Sequence, residues 1–197
     1  TEVVCRETDT LESLQSKVRI ATILGTFQST LTDFKYLRKI WKDNTEEERL
    51  LGVSLTGILD CPILRPSNTN LKDTLEQLRT VAVETNKKIA KDLGIPQSTA
   101  ITCVKPSGTV SQLVDSASGI HARHNPFYVR TVRGDNKDPL TQFMQQVGIP
   151  IEPDMGKPDS VSVFSFPMKS PNGAVTRTEM TAIEQLDYWL LFQRHWC

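Results

Sequence analysis

Apolar residues recur at Leu11, Leu14, Val18, Ala21, Leu24, Leu31 and Phe34, steps that gather them on one side of a helix. Asp9 followed by Glu12 has the form of a capping box, so the spacing predicts a helix from Thr10 to about Phe34. A second stripe, Leu71, Leu75, Leu78, Ala82, Ile89 and Leu93, predicts a helix opening after Asn70 and stopped by Gly94 and Pro96. Lys87, Lys88 and Lys91 lie near its C-terminal end, where the macrodipole favours cations. Asp138, Pro139 and Gly148 bracket a shorter helix over Asp138 to Val147. Thr181 and Glu184 announce a last one, continuing through Ile183, Leu186, Trp189 and Leu190.

Between these stripes the periodicity shortens. Ala100 to Val104, Phe127 to Arg133 and Val161 to Phe166 are rich enough in β-branched and aromatic residues to predict strands, and Leu50 to Leu55 is a weaker fourth. Strands alternating with long helices imply an α/β fold with parallel pairing, each crossover helix covering a sheet face. Arg65 to Asn70 and Pro150 to Pro158 are turn-rich connections. Neither has the length of an interdomain linker, and no internal boundary is assigned.

Charge adds little to this picture. Among 197 residues, 23 Lys and Arg balance 23 Asp and Glu, so nothing global draws the chain toward nucleic acid or anionic lipid. The longest apolar runs fall far short of the ~20 residues of a membrane-spanning helix. The chain does not begin with Met and carries no signal-peptide pattern over Thr1 to Asp9, so a fragment or processed chain is expected. Cys5, Cys61, Cys103 and Cys197 form no Cys-x-x-Cys pair and read as separate reduced thiols, which with the missing signals points to the cytoplasm. His121 and His124 have no Cys or carboxylate at ligand spacing, and no metal site is expected.

Chemistry concentrates in one segment, Lys105-Pro-Ser-Gly-Thr-Val-Ser-Gln112, which leaves a predicted strand and leads into Val110, Leu113 and Val114. A helix start exposes amides that lack intrahelical partners, and its dipole favours an anion. Gly108 lets a phosphate approach the backbone, while Ser107, Thr109 and Ser111 offer hydroxyls. The Gly-x-x-x-x-Gly-Lys-Ser/Thr spacing of a P-loop is absent, and no acidic pair suits the Mg²⁺ of a phosphotransferase. On local chemistry alone, a phosphate-binding turn and a simple helix cap both remain open.

Longer stretches narrow the choice. Lys17 to Thr32 (KVRIATILGTFQSTLT), Glu46 to Gly57 (EEERLLGVSLTG), Ala100 to His121 (AITCVKPSGTVSQLVDSASGIH) and Gln193 to Cys197 (QRHWC) resemble the adenosylcobalamin-dependent, class II ribonucleotide reductases, in particular the monomeric ribonucleoside-triphosphate reductase branch. The resemblance implies part of the ten-stranded α/β barrel of ribonucleotide reductases, incomplete in this chain and spanning its whole length, a middle-to-late slice of a longer enzyme. It implies a thiyl radical that abstracts the ribose 3′-hydrogen, initiated by adenosylcobalamin. It also implies that Pro106, Ser107, Gly108, Thr109, Val110 and Ser111 hold the phosphates of a ribonucleoside triphosphate, and that the segment Gln145 to Cys197 contributes to a cobalamin-facing side.

The same resemblance places the radical cysteine loop and the reducing cysteine upstream of Thr1, the redox-cysteine tail downstream of Cys197, and no catalytic residue within the chain. Cys5 is then a structural thiol, and Cys103 a small apolar residue in a buried strand. The loop holding Ala122 and His124 departs from the usual family wording. The expected partners are the substrate, the remaining parts of the reductase and, through the full enzyme, a thioredoxin-type reductant, with this chain alone inactive. The alternative is a non-catalytic nucleotide-binding or assembly module without radical machinery.

Overall fold

The computed structural model describes all residues, Thr1 to Cys197. They form two compact units, Thr1–Arg123 with Pro171–Cys197, and His124–Ser170.

In the first unit, strands β1 (Glu2–Val4), β2 (Val53–Thr56) and β3 (Thr102–Cys103) lie side by side in that order, all parallel. Every residue of the central strand β2 is buried, as both faces of a covered parallel sheet require. Helices α1 (Leu11–Gln28) and α3 (Leu71–Leu93) pack against each other. α1 buries Leu14, Val18, Ala21 and Gly25, and α3 buries Leu71, Leu75, Leu78, Ala82 and Ala90. The C-terminal helix α6 (Ala182–His195) adds Tyr188 and Phe192 to the core, followed by Trp196. The Trp196 indole N–H donates to the carbonyl of Cys103 at 3.0 Å, and the Thr102 hydroxyl donates to the carbonyl of Trp196, so the end of α6 is fastened to β3.

Sequence and structure agree on α3, whose Gly94 stop adopts φ +67°, and on the Thr181–Glu184 capping box of α6. They part at α1. Its N-cap is Thr10, not Asp9, and the box closes with Ser13; Asp9 instead accepts bonds from the Ser13 hydroxyl and the Lys17 ammonium, both at 2.6 Å. The helix also ends at Gln28, short of Phe34, where the hydroxyls of Ser29 and Thr30 donate to the carbonyls of Thr26 and Phe27 and compete with continued helix. A helix the pattern did not predict follows, α2 (Lys39–Glu48), which buries no residue and carries the exposed i,i+4 pairs Lys39–Asp43 and Lys42–Glu46. The strand expected over Ala100 to Val104 shrinks to β3, and Cys103 is half-buried, not enclosed.

The second unit corrects the expectation of parallel pairing throughout. Strands β4 (Phe127–Asp135), β5 (Ile151–Pro153) and β6 (Val161–Lys169) form an antiparallel sheet in the order β4-β6-β5. β5 falls in the stretch expected to be a turn-rich connection. Pro167 is tolerated within β6 because β5 pairs only with Ser162 to Phe164, leaving the outer side of β6 open beyond that point. Helix α5 (Pro139–Gln146) begins at Asp138, whose carboxylate accepts from the Leu140 amide at 2.8 Å. It packs tightly on β4: a Cβ at Gly134 would lie 2.3 Å from the Thr141 hydroxyl.

Candidate functional site

The segment Pro106 to Ser111 leaves β3 and enters α4 (Val110–Leu113), a single helical turn in place of the longer helix its apolar residues suggested. Val110 and Leu113 are exposed, so no apolar stripe extends that turn. Ser107 and Ser111 are buried and bonded to each other. The Ser107 hydroxyl accepts from the Ser111 amide at 3.1 Å, and the Ser111 hydroxyl donates to the Ser107 carbonyl at 2.6 Å. The Ser118 hydroxyl donates to the same carbonyl at 2.6 Å. Gly108, Thr109 and Val110 form the outer rim. They are exposed, their amides make no hydrogen bond within the chain, and a Cβ on Gly108 would meet nothing within 4 Å. Of the three hydroxyls the sequence offered, two therefore brace the turn and only that of Thr109 faces outward.

Lys105 does not join the rim. Its ammonium donates to the Thr1 carbonyl at 3.1 Å and lies beside Gly52, while its amide donates to the Ser54 hydroxyl. That removes the cation on which a phosphotransferase would depend.

The segment following α4 is bound to the end of β2. The Gly57 amide donates to the Ala117 carbonyl at 2.8 Å, and the Gly119 amide to the Thr56 hydroxyl at 2.9 Å. Both glycines are required there: each has positive φ, and a Cβ would sit 2.5 Å from the Cys5 carbonyl at Gly57 and 2.9 Å from the Lys105 carbonyl at Gly119. A buried ion pair completes the attachment. Asp60 and Arg123 face each other through two bonds of 3.0 and 2.8 Å, with both side chains 2% exposed. Neither residue carries a sequence signal.

The cysteines stand apart from the rim. Cys5 and Cys61 are fully buried, and burial pushes the Cys5 thiol well above its ordinary range and that of Cys61 up to about 11. Cys103 and Cys197 are half-buried, also with raised values from burial. No three His, Cys, Asp or Glu side chains converge, and no helix is long and apolar enough to cross a membrane.

With this geometry in view, the fold can be placed. The chain superimposes on the crystal structure of a B12-dependent, class II ribonucleotide reductase with a TM-score of 0.77 at 22% identity, over 91% of this chain and 29% of that one. It has the α/β fold of that class. In sequence it is related to adenosylcobalamin-dependent ribonucleoside-triphosphate reductases: 28% identical to that of Euglena gracilis over 94% of this chain and 28% of the relative, and 25% identical to that of Lactobacillus leichmannii over 90% and 28%. A probable enzyme of the same description from Dictyostelium discoideum is 28% identical over 79% of this chain and 21% of its own length. The chain thus spans little more than a quarter of the curated relatives it matches. No protein-family model matches it.

Proposed function

We propose that this chain is a section of an adenosylcobalamin-dependent ribonucleotide reductase and that its turn at Pro106 to Ser111 holds the phosphates of a ribonucleoside triphosphate. One observation carries the assignment of the turn: three consecutive amides, on Gly108, Thr109 and Val110, are open and unpaired above a base closed by Ser107, Ser111 and Ser118. Backbone N–H groups held in this way suit an anion, and they need no cation from Lys105. The relatives' name supplies the substrate class and the cofactor.

Adenosylcobalamin, when bound, supplies a radical by homolysis of its cobalt–carbon bond. Within Gln145 to Cys197, the surface that suits an apolar macrocycle is the exposed stripe Ile183, Leu186, Trp189 and Leu190 of α6. This chain's own part in the reaction is to bind and orient the nucleotide by its phosphates, while the radical cysteine and the exchange with a thioredoxin-type reductant fall to the rest of the enzyme.

The test is Gly108→Val. Open space around that Cβ lets the variant fold, while the added side chain covers the unpaired amides. Triphosphate affinity should fall by about 1.5 to 3 kcal/mol, one charge-assisted contact. Equal affinity of wild type and variant would remove the phosphate assignment. Cobalamin-dependent reduction of CTP or ATP by a dithiol should occur only when the chain is mixed with the upstream part of a matching reductase. Nucleotide binding with no turnover in the mixture would favour the non-catalytic binding module.

A further inference from the structure

We propose that the buried Asp60–Arg123 pair is a positioning device for the rim of the Pro106–Ser111 turn, an inference that rests on the phosphate role proposed for that turn. A buried ion pair contributes little net stability, since desolvation offsets the attraction and apolar residues of similar volume would hold the fold as well. What such a pair does supply is direction, because each remaining polar atom must find a partner. Three of the contacts they make fall on one short segment. The Asp60 carboxylate accepts from the Ala117 amide at 2.8 Å. Arg123 donates to the Asp115 carboxylate at 3.1 Å and to the Asp115 carbonyl at 3.2 Å. From the other side, Arg6, two residues beyond β1, donates to the carbonyls of Val114 and Asp115.

Asp115 itself has φ +45°, a conformation that non-glycine residues seldom hold without support. The clamp passes directly to the turn. Beyond Asp115, the Ser116 amide donates to the Ser111 carbonyl at 2.9 Å, and the Ser118 hydroxyl donates to the Ser107 carbonyl. Fixing Asp115 to Ala117 therefore fixes both feet of the turn whose open amides lie between them. Asp60 is in turn oriented by Arg65, which donates to its carbonyl at 2.7 Å. The pair touches no substrate and acts through the backbone it holds.

The decisive variant is Asp60→Leu with Arg123→Met, measured in the whole chain for urea stability and for binding of ATP and of adenosine. The double variant leaves the buried Ala117 amide without its acceptor, so it should stay folded with a lowered urea midpoint, while ATP affinity falls about tenfold to a hundredfold and adenosine affinity stays unchanged. A purely structural pair would not separate the two ligands. If the folded double variant binds ATP as wild type does, the positioning role is overturned and the phosphate role of the turn stands. If wild type itself binds ATP no better than adenosine and Gly108→Val changes nothing, the phosphate role fails and takes this inference with it. Should the double variant not fold, Arg123→Lys keeps the buried charge but loses the guanidinium fork. It should show the same ATP-specific loss in milder form, and wild-type ATP affinity in that folded variant would equally overturn the proposal.

Discussion

Asn86 offers a quantitative check on how the first unit is held together. It is fully buried on α3, and its amide is satisfied on both sides. The NH₂ group donates to the hydroxyls of Thr26 on α1 at 3.0 Å and Ser98 at 2.9 Å, and the carbonyl oxygen accepts from the Ser98 amide at 3.0 Å. Asn86→Ala removes three bonds worth about 1 kcal/mol each and leaves the buried Ser98 amide without a partner, for a loss of about 2 to 4 kcal/mol. In a domain of this size that corresponds to a fall in Tm of roughly 5 to 15 °C. Urea unfolding followed by far-ultraviolet circular dichroism measures it. Asn86→Asp sharpens the result, because a carboxylate cannot donate and the Thr26 hydroxyl already donates its proton to the Thr22 carbonyl within α1. Burial would raise the new carboxyl's pKa, so the native state would hold its proton longer than the unfolded chain. Stability of that variant should then decline as pH rises above about 4. A loss below about 1 kcal/mol for Asn86→Ala, with no pH slope for Asn86→Asp, would refute the claim that this network fastens α1 to α3.

Further outcomes follow from the same interactions. Thr181→Ala removes the hydroxyl that accepts from the Glu184 amide and should cost about 1 kcal/mol in urea unfolding, since α6 carries Phe192 toward the core. Asp9 is pushed up by burial, but bonds from Lys17, Ser13 and the Arg6 amide outweigh this and hold it below the usual carboxylate value. Its contribution is complete above about pH 4 and disappears as pH falls through the lowered folded value, so Asp9→Asn should flatten the acid limb of a stability–pH curve. Cys103 and Cys197 should react with a thiol reagent before unfolding, and Cys5 and Cys61 only upon unfolding. With the Cys61 thiol raised from 9.0 to about 11, the unfolded chain ionises first, and stability should decline between those pH values; Cys61→Ala would remove that part of the alkaline slope.

Elements with one apolar face were legible in the sequence and those without it were not. α3 alternates core and solvent positions over more than six turns and ends on a glycine with positive φ, so periodicity and stop signal agree. α2 buries nothing, and its apolar Ile40 and Trp41 face outward, so there is no stripe to find. Strand β1 has three residues and β3 has two, too short for period-two alternation to register. The expected parallel pairing fails in the second unit because periodicity identifies a strand but not its neighbour; α5 and β5 lie between β4 and β6 in the chain, yet these two pair directly and antiparallel, with β5 on the far side of β6.

The turn at Pro106 to Ser111 shows where sequence reasoning about a site stops. Small residues after a strand indicated an open backbone, and the exposed, unpaired amides of Gly108 to Val110 have that character. The division of labour among the hydroxyls could not be read, because Ser107, Thr109 and Ser111 look alike in a string and differ only in which way the backbone turns each one. The supports were hidden for a further reason. Asp60 lies 57 residues from the Ala117 amide it holds and 63 from Arg123, so only the pairing of β2 with its neighbours brings the three together. A charged residue in a loop ordinarily means a solvated surface. Asp60 and Arg123 depart from that rule because the carbonyls and amides after α4 replace the water each would otherwise have, and those groups are available only where Gly57 and Gly119 let the two backbones approach. The turn is therefore a local feature of six residues, whereas its rigidity belongs to contacts between segments far apart in the chain.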